Sequence, residues 1–188
     1  AAMEQTFMVS QPVLWDLENR NLYTAVSEVS VDGETVDIYE TPFGIRTLEF
    51  TPNDGFHLNG QRVALKGVCM HHDLGALGTA VNRRALERQI GILQEMGCNA
   101  IRTSHNPPAP ELLDLCDRMG MLVIDEAFDE WKVGKVDNGY HTLFDELAEK
   151  DLRVLIRRDR NHPCVIMWSI GNEIGEQGCS DGGNVAKF

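Results

Sequence analysis

The stretch CNAIRTSHNPPAPELLDLCDRMGMLVIDE, Cys98–Glu126, decides how this chain folds. It opens on an apolar run, Cys98–Thr103, and reaches Pro110, whose missing N–H suits the first turn of a helix. Leu112, Leu113, Cys116 and Met119 then recur at helical spacing and predict a buried stripe, which Gly120 ends. A second apolar run follows at Met121–Asp125. Strand, helix, strand is the unit. Runs this continuously apolar suit parallel strands covered by helices.

The unit repeats on both sides. Arg62–Val68 predicts a strand before it, and Asn82 can cap a helix running to about Met96, with Leu86, Ile90 and Leu93 on one face and Gly97 as terminator. After it, Thr142 is the predicted cap of a third helix, with Asp145 completing the cap region. The acids of this helix (Asp145, Glu146) come early and its arginines (Arg153, Arg157, Arg158) late, as the helix dipole favours. Phe144, Leu147, Ala148, Leu152 and Leu155 supply its apolar stripe, and Cys164–Ile170 predicts a fourth strand. Four such steps without a Gly-x-Gly-x-x-Gly fingerprint argue against a dinucleotide-binding sheet. They predict an α/β chain forming the first half of an eight-stranded (β/α)8 barrel. A half barrel would leave its first and last strands as open edges, so a piece of a longer protein is expected.

Residues 1–51 have another texture. Leu22–Val31 and Glu34–Glu40, rich in Val, Thr and Tyr, predict a hairpin turning at Asp32-Gly33, with a further strand at Gly44–Phe50. The expectation is the end of a β-sandwich over 1–51 and the half barrel over 52–188, divided at the Pro52-Asn53-Asp54-Gly55 cluster.

Composition narrows the partners. A net charge of −12 over 188 residues disfavours nucleic acid and anionic membrane, both of which need clustered Lys and Arg. No apolar run approaches the roughly 20 residues that span a bilayer. The N-terminal residues carry no basic-then-apolar signal pattern. The five cysteines (Cys69, Cys98, Cys116, Cys164, Cys179) include no C-x-x-C pair and read as free thiols, mostly buried. None of this opposes a neutral sugar as partner.

In barrels of this kind the reactive groups sit at the C-terminal ends of the strands. Here those ends carry Met70-His71-His72-Asp73, then Arg102-Thr103-Ser104-His105-Asn106, then Asp125-Glu126 with Asp129 and Glu130 beyond, then Asn172-Glu173. Each also has a structural reading: a hydrogen-bonded histidine, a helix-capping acid, an arginine neutralising an acid. Trp131 and Trp168 read either as sugar-stacking rings or as core. The coincidence over four successive strands favours one polar rim. A carboxyl at the tip of an apolar strand is expected to be partly desolvated, which raises its pKa toward that of a general acid.

DRNHPCVIMWSIGNE, Asp159–Glu173, resembles the acid/base signature of glycoside hydrolase family 2, which includes β-galactosidases, β-glucuronidases and β-mannosidases. NAIRTSH, Asn99–His105, resembles the family's other signature, with Asn106-Pro107 where Tyr-Pro is usual. KGVCMHHDLGALG, Lys66–Gly78, resembles its first barrel strand, with Cys69 in place of an asparagine. The resemblance implies an immunoglobulin-like sandwich before a TIM barrel and a configuration-retaining glycosidase, with a β-galactoside as the favoured substrate. It implies Glu173 as general acid/base and Asn172 on the 2-hydroxyl of the sugar. His71 and His105 would contact the substrate, Arg102 would support the nearby carboxylates, and Asp125 is grouped with the substrate-binding residues. The nucleophile lies on strand seven in the family, beyond Phe188. Some members hold magnesium through the acid/base Glu and a Glu-x-His pair. Glu130 matches that Glu, but Lys132 stands where the His would be, so no metal cofactor is expected. A homo-oligomer of the whole enzyme is left open. The rivals are a metal-dependent barrel hydrolase using His71, His72 and His105, and a non-catalytic carbohydrate-binding piece.

Overall fold

The structure, a computed structural model, describes residues 4–178. Cys179 therefore lies outside the described residues. The hairpin forms where Val and Thr alternate: β1 (Tyr23–Val31) pairs antiparallel with β2 (Glu34–Phe43). Its turn residues Asp32 and Gly33 both take positive φ, 52° and 84°, as the tightest hairpin turn requires. Next, β3 (Leu48–Thr51), β4 (Gly55–Leu58) and β5 (Gln61–Arg62) form a separate antiparallel sheet. The Pro52–Gly55 cluster is the turn between β3 and β4 of that sheet.

This small sheet displaces the predicted first barrel strand. Residues 61–63 bond back to β4, and the barrel strand β6 begins only at Gly67 (Gly67–His71). Asn99 sets that start. Its side chain accepts from Lys66 N at 2.8 Å and donates to Ala64 O at 2.9 Å. A Cβ on Gly67 would sit 2.8 Å from Ala100 O, so only glycine lets the two strands approach here.

From β6 on the alternation follows the sequence: α1 (Arg83–Glu95), β7 (Ala100–Ser104), α2 (Pro110–Met119), β8 (Leu122–Glu126), α3 (Phe144–Asp159) and β9 (Val165–Ser169). The four strands are parallel and lie in chain order, β6-β7-β8-β9. A doubly wound sheet would reverse order at a switch point; an unbroken order is the arc of a barrel wall. Asn82 caps α1 by accepting from Ala85 N at 3.0 Å, and Gly120 closes α2 in the left-handed region, φ 73°. Thr142 does not cap α3. It lies in a short 3-10 turn with its hydroxyl on Gly139 O, and Leu143 precedes the helix without a side-chain cap.

The core lies between sheet and helices: Ile90, Leu113, Cys116, Leu122 and Val123 are fully shielded. Trp15 joins it from the N-terminal segment, with its indole N–H on Asp117 O at 2.9 Å. Residues read with the sandwich thus plug the lower end of the parallel sheet. Cys69, Cys98, Cys116 and Cys164 are all free, two of them buried.

Candidate active site

Parallel strands place paired residues on one face, and successive residues on opposite faces. Cys69, Arg102, Ile124 and Met167 pair into one row, and His71 with Ser104 and Glu126 with Ser169 belong to the next, all facing the barrel interior. Asp125 pairs with Trp168 on the helix side. This parity separates two adjacent acids.

Glu126 is the hub. It is fully buried, yet its carboxylate is saturated with donors: Arg102 Nε at 2.7 Å and Nη2 at 2.6 Å, Ser169 Oγ at 2.6 Å, and His105 Nδ1 at 2.7 Å. Its own N–H donates to Thr103 Oγ1 at 3.0 Å. A buried charge is tolerable only when so paired. A carboxylate only accepts, so Nδ1 of His105 carries a proton and Nε2 is left to the cavity. His71 meets the His105 ring edge to face, centroids 5.1 Å apart. Both line a cavity of about 490 Å³ with Met70, His72, Thr103 and Asp129.

Asn172 is held on both ends of its amide. Arg102 Nη2 donates to Oδ1 at 3.1 Å, and Nδ2 donates to Asp129 Oδ1 at 3.0 Å. The two partners together fix which end of the amide is which. Glu173 follows with φ 43°, a left-handed backbone that a non-glycine residue adopts at a cost of order 1–3 kcal/mol. Its side chain is exposed, so the residues described here do not supply the desolvation expected from the sequence.

The loop between β8 and α3 is organised by two buried carboxylates. Glu130 accepts from Lys135 N at 2.6 Å, His141 N at 2.8 Å and His141 Nδ1 at 2.9 Å. These donors, the His141 amide foremost, hold its carboxyl down at about 2. From the other side Glu176 accepts from Lys132 N and Val133 N, at 2.7 and 2.8 Å. A Cβ on Gly139 would land 2.1 Å from Glu130 Oε1, which is why glycine stands there. Lys132, the residue expected near a cation position, instead reaches Asp145 on α3. Lys135 turns inward: Nζ donates to Asp129 Oδ1 at 2.8 Å and to the Asn172 carbonyl at 2.6 Å. Burial would raise Asp129, but the Lys135 and Asn172 donors hold its carboxyl below the usual range.

The structure thus gathers His71, Arg102, His105, Asn172 and Glu173 at one end of the sheet, and it removes Asp125. That carboxyl is fully buried against α3. Burial first, then the Asp159 carboxylate, push it up to about 8, opposed by Arg158 and His162. Asp125 is not on the rim. Trp131 is core as well, buried among Phe128, Phe144 and Ile174 with its N–H on Ile170 O, and Trp168 packs against both core clusters. The His72 ring is bonded to Thr79 O and His105 Nδ1 to Glu126. Among the described residues the one trio of potential metal ligands close enough to share an ion is Asp117, His162 and Cys164, at the opposite end of the sheet. The hub role of Glu126 escaped the sequence reading, because only the pairing of Arg102 with Ile124 on the next strand shows that Glu126 shares its face. Lys135 left no periodic signal at all.

Residues 51–186 match the model of the glycosyl hydrolases family 2 TIM barrel domain, and residues 1–46 match that of glycosyl hydrolases family 2. The chain is 58% identical over 173 residues to the beta-galactosidase BoGH2A of Bacteroides ovatus, covering 92% of this chain and 20% of that protein. It is 38% identical over 181 residues to a beta-glucuronidase of Streptococcus agalactiae, covering 90% of this chain and 30% of that one. A crystal structure of a glycosyl hydrolase family 2 member from Bacteroides cellulosilyticus superposes with a TM-score of 0.90 at 46% identity, over 94% of this chain and 23% of the other. The chain therefore spans under a third of these proteins.

Proposed function

The chain belongs to glycosyl hydrolase family 2, and from that premise we propose that the protein carrying it is a retaining glycosidase acting on terminal, non-reducing β-D-galactosides. Glu173 serves as the general acid that protonates the glycosidic oxygen and, in the second step, as the base that activates water. Retention needs a second carboxyl about 5–5.5 Å from the first, acting as nucleophile. Glu126 is unsuited to that, because its lone pairs are taken by Arg102, His105 and Ser169. Glu176 follows Glu173 too closely to approach the same bond from the opposing side, and its Oε1 accepts from two loop amides. The nucleophile is assigned to residues beyond these 188.

The observation that carries this reading is the Asn172–Glu173 pair at the tip of β9, with Asn172 clamped between Arg102 and Asp129. Clamped this way, its amide keeps one N–H and acceptor capacity for a sugar hydroxyl. His105, oriented by Glu126, and His71 line a cavity that also reaches Asp129, the residue holding the Asn172 amide.

The galactoside is favoured by the Gly171-Asn172-Glu173-Ile174-Gly175 sequence and by the higher identity to the Bacteroides ovatus galactosidase. A β-glucuronide is the second reading, favoured by the Streptococcus agalactiae relative. The kcat/KM of the full-length protein for nitrophenyl β-galactoside against nitrophenyl β-glucuronide separates them. In the same protein, Glu173→Gln should lose roughly 10²–10⁴-fold on alkyl glycosides, whose leaving group needs a proton. It should lose far less on dinitrophenyl glycosides. Equal losses on both would refute the acid/base role.

A further inference from the structure

The β8–α3 loop delivers the Lys135 ammonium group to the reactive end of the sheet. Lys135 Nζ lies 2.6 Å from the Asn172 carbonyl oxygen, which belongs to the peptide joining Asn172 to Glu173. It also lies 2.8 Å from Asp129 Oδ1, the same oxygen that accepts from the Asn172 side-chain amide at 3.0 Å. One cation thus touches both the backbone and, through Asp129, the side chain of the residue preceding the proposed acid. The lysine is itself held from behind, because its own N–H is bound by Glu130 at 2.6 Å.

A divalent ion does not fit here. Glu130, the matching carboxylate, has its oxygens committed to the Lys135 amide and to the amide and ring of His141. Carbonyl, carboxylate and side-chain amide oxygens are what a hard cation recruits. In this chain a fixed ammonium already holds the Asn172 carbonyl and the Asp129 carboxylate. Lys132 is paired with Asp145 on α3.

We infer that Lys135 is a positioning residue for the acid/base: its ammonium fixes the Asn172-Glu173 peptide, and with it the direction of the Glu173 carboxyl, in place of a bound metal ion. Three features make this more than a surface contact. The lysine side chain is largely covered, 27% exposed. The peptide it grips carries the left-handed φ of 43° at Glu173, a conformation that persists only when its surroundings enforce it. Its loop is bound on either flank by a buried carboxylate, Glu130 and Glu176, which fixes where the lysine starts from. A shift of about 1 Å in a reacting group can cost on the order of 10²-fold in rate. Holding this peptide is therefore a lever on catalysis.

The inference rests on Glu173 being the acid/base, so the test reads both in the full-length protein. Lys135→Met and Lys135→Arg are compared with the parent on an alkyl β-galactoside and on dinitrophenyl β-galactoside, with thermal midpoints measured alongside. Lys135→Met should lose about 10-fold or more in kcat on the alkyl substrate, where proton donation is limiting, with KM little changed. The loss on the dinitrophenyl substrate should be several-fold smaller, and Lys135→Arg should recover much of it. A chelator should leave the parent's activity intact. Equal losses on both substrates that follow the thermal midpoint would reduce Lys135 to a structural lysine. Parent activity abolished by chelation and restored by magnesium would overturn the inference outright. If Glu173→Gln shows its leaving-group dependence while Lys135→Met matches the parent, Lys135 is excused and the function stands. If Glu173→Gln shows none, both readings fall.

Discussion

The two ends of the parallel sheet carry the same chemical pair in different surroundings. At the upper end, buried Glu126 binds the Nδ1 of His105 at 2.7 Å; at the lower end, buried Asp117 binds the Nδ1 of His162 at 2.6 Å. The lower pair packs against the core. Asp117 also accepts from Cys164 N at 3.0 Å, and Trp15 covers it with a hydrogen bond to its carbonyl. The neighbouring Cys164 thiol is driven far up by burial and by Asp117, so it stays protonated and donates to Leu113 O. The upper pair opens on a cavity, and its partners Arg102 and His105 remain partly exposed. A histidine–carboxylate pair therefore says little by itself. What distinguishes function from support is the end of the strand on which it sits.

That comparison can be broken by substitution. The largest effect should come from Asp117→Asn, which leaves His162 with a neutral partner in a closed site. Breaking a buried pair of this kind costs about 3–5 kcal/mol, readable as a lowered urea midpoint, while activity per folded molecule should hold. If activity fell without a stability change, the lower end would have a catalytic role. Next comes Arg102→Lys. It keeps the charge but cannot span Glu126 and Asn172 together, because an ammonium lacks the planar fork. The expected result is a loss on the order of 10-fold in kcat with a thermal midpoint close to the parent's. A variant that unfolds early instead would place Arg102 with the supporting residues.

A third test sharpens the comparison through pH. Asp125 is raised to about 8, so between about pH 4 and 8 the folded chain holds a proton that the unfolded chain releases. Stability from this group is complete at low pH and falls as pH rises through that window, by up to about 1.4 kcal/mol per unit. His162 acts in the same direction. Burial lowers it, but the hydrogen bond and charge of Asp117 outweigh burial and the net shift is upward. Its contribution is present below the unfolded value and disappears as pH climbs past the folded one. Asp125→Asn should flatten much of the loss in thermal midpoint between pH 5 and pH 8. An unchanged slope would mean that Asp125 is already ionised in the folded chain.

These residues also show what the sequence could reveal. The αβ alternation, the Asn82 cap and the Gly120 stop are local, so three-to-four-residue spacing was enough to place them. The Asn172–Glu173 tip was legible because an apolar strand ending in polar groups is a one-dimensional pattern. Asp125 was misassigned because it adjoins Glu126, and only the register with Arg102 and Trp168 tells which of the two faces the interior. The first barrel strand was placed too early because Gln61 and Arg62 are taken by an antiparallel partner. Lys135, Glu176 and the loop-bracing contacts of Glu130 were out of reach for another reason. Their contacts run to backbone amides and a carbonyl of an irregular loop, and no periodicity reports those.

The same loop has a consequence for affinity. A segment without helix or strand ordinarily loses its conformational entropy when a ligand orders it, and binding is weakened by that amount. Here the amides of Lys132, Val133, Lys135 and His141 are already tied to Glu130 and Glu176. That freedom is surrendered when the chain folds, so a ligand that meets this loop has less of it left to order.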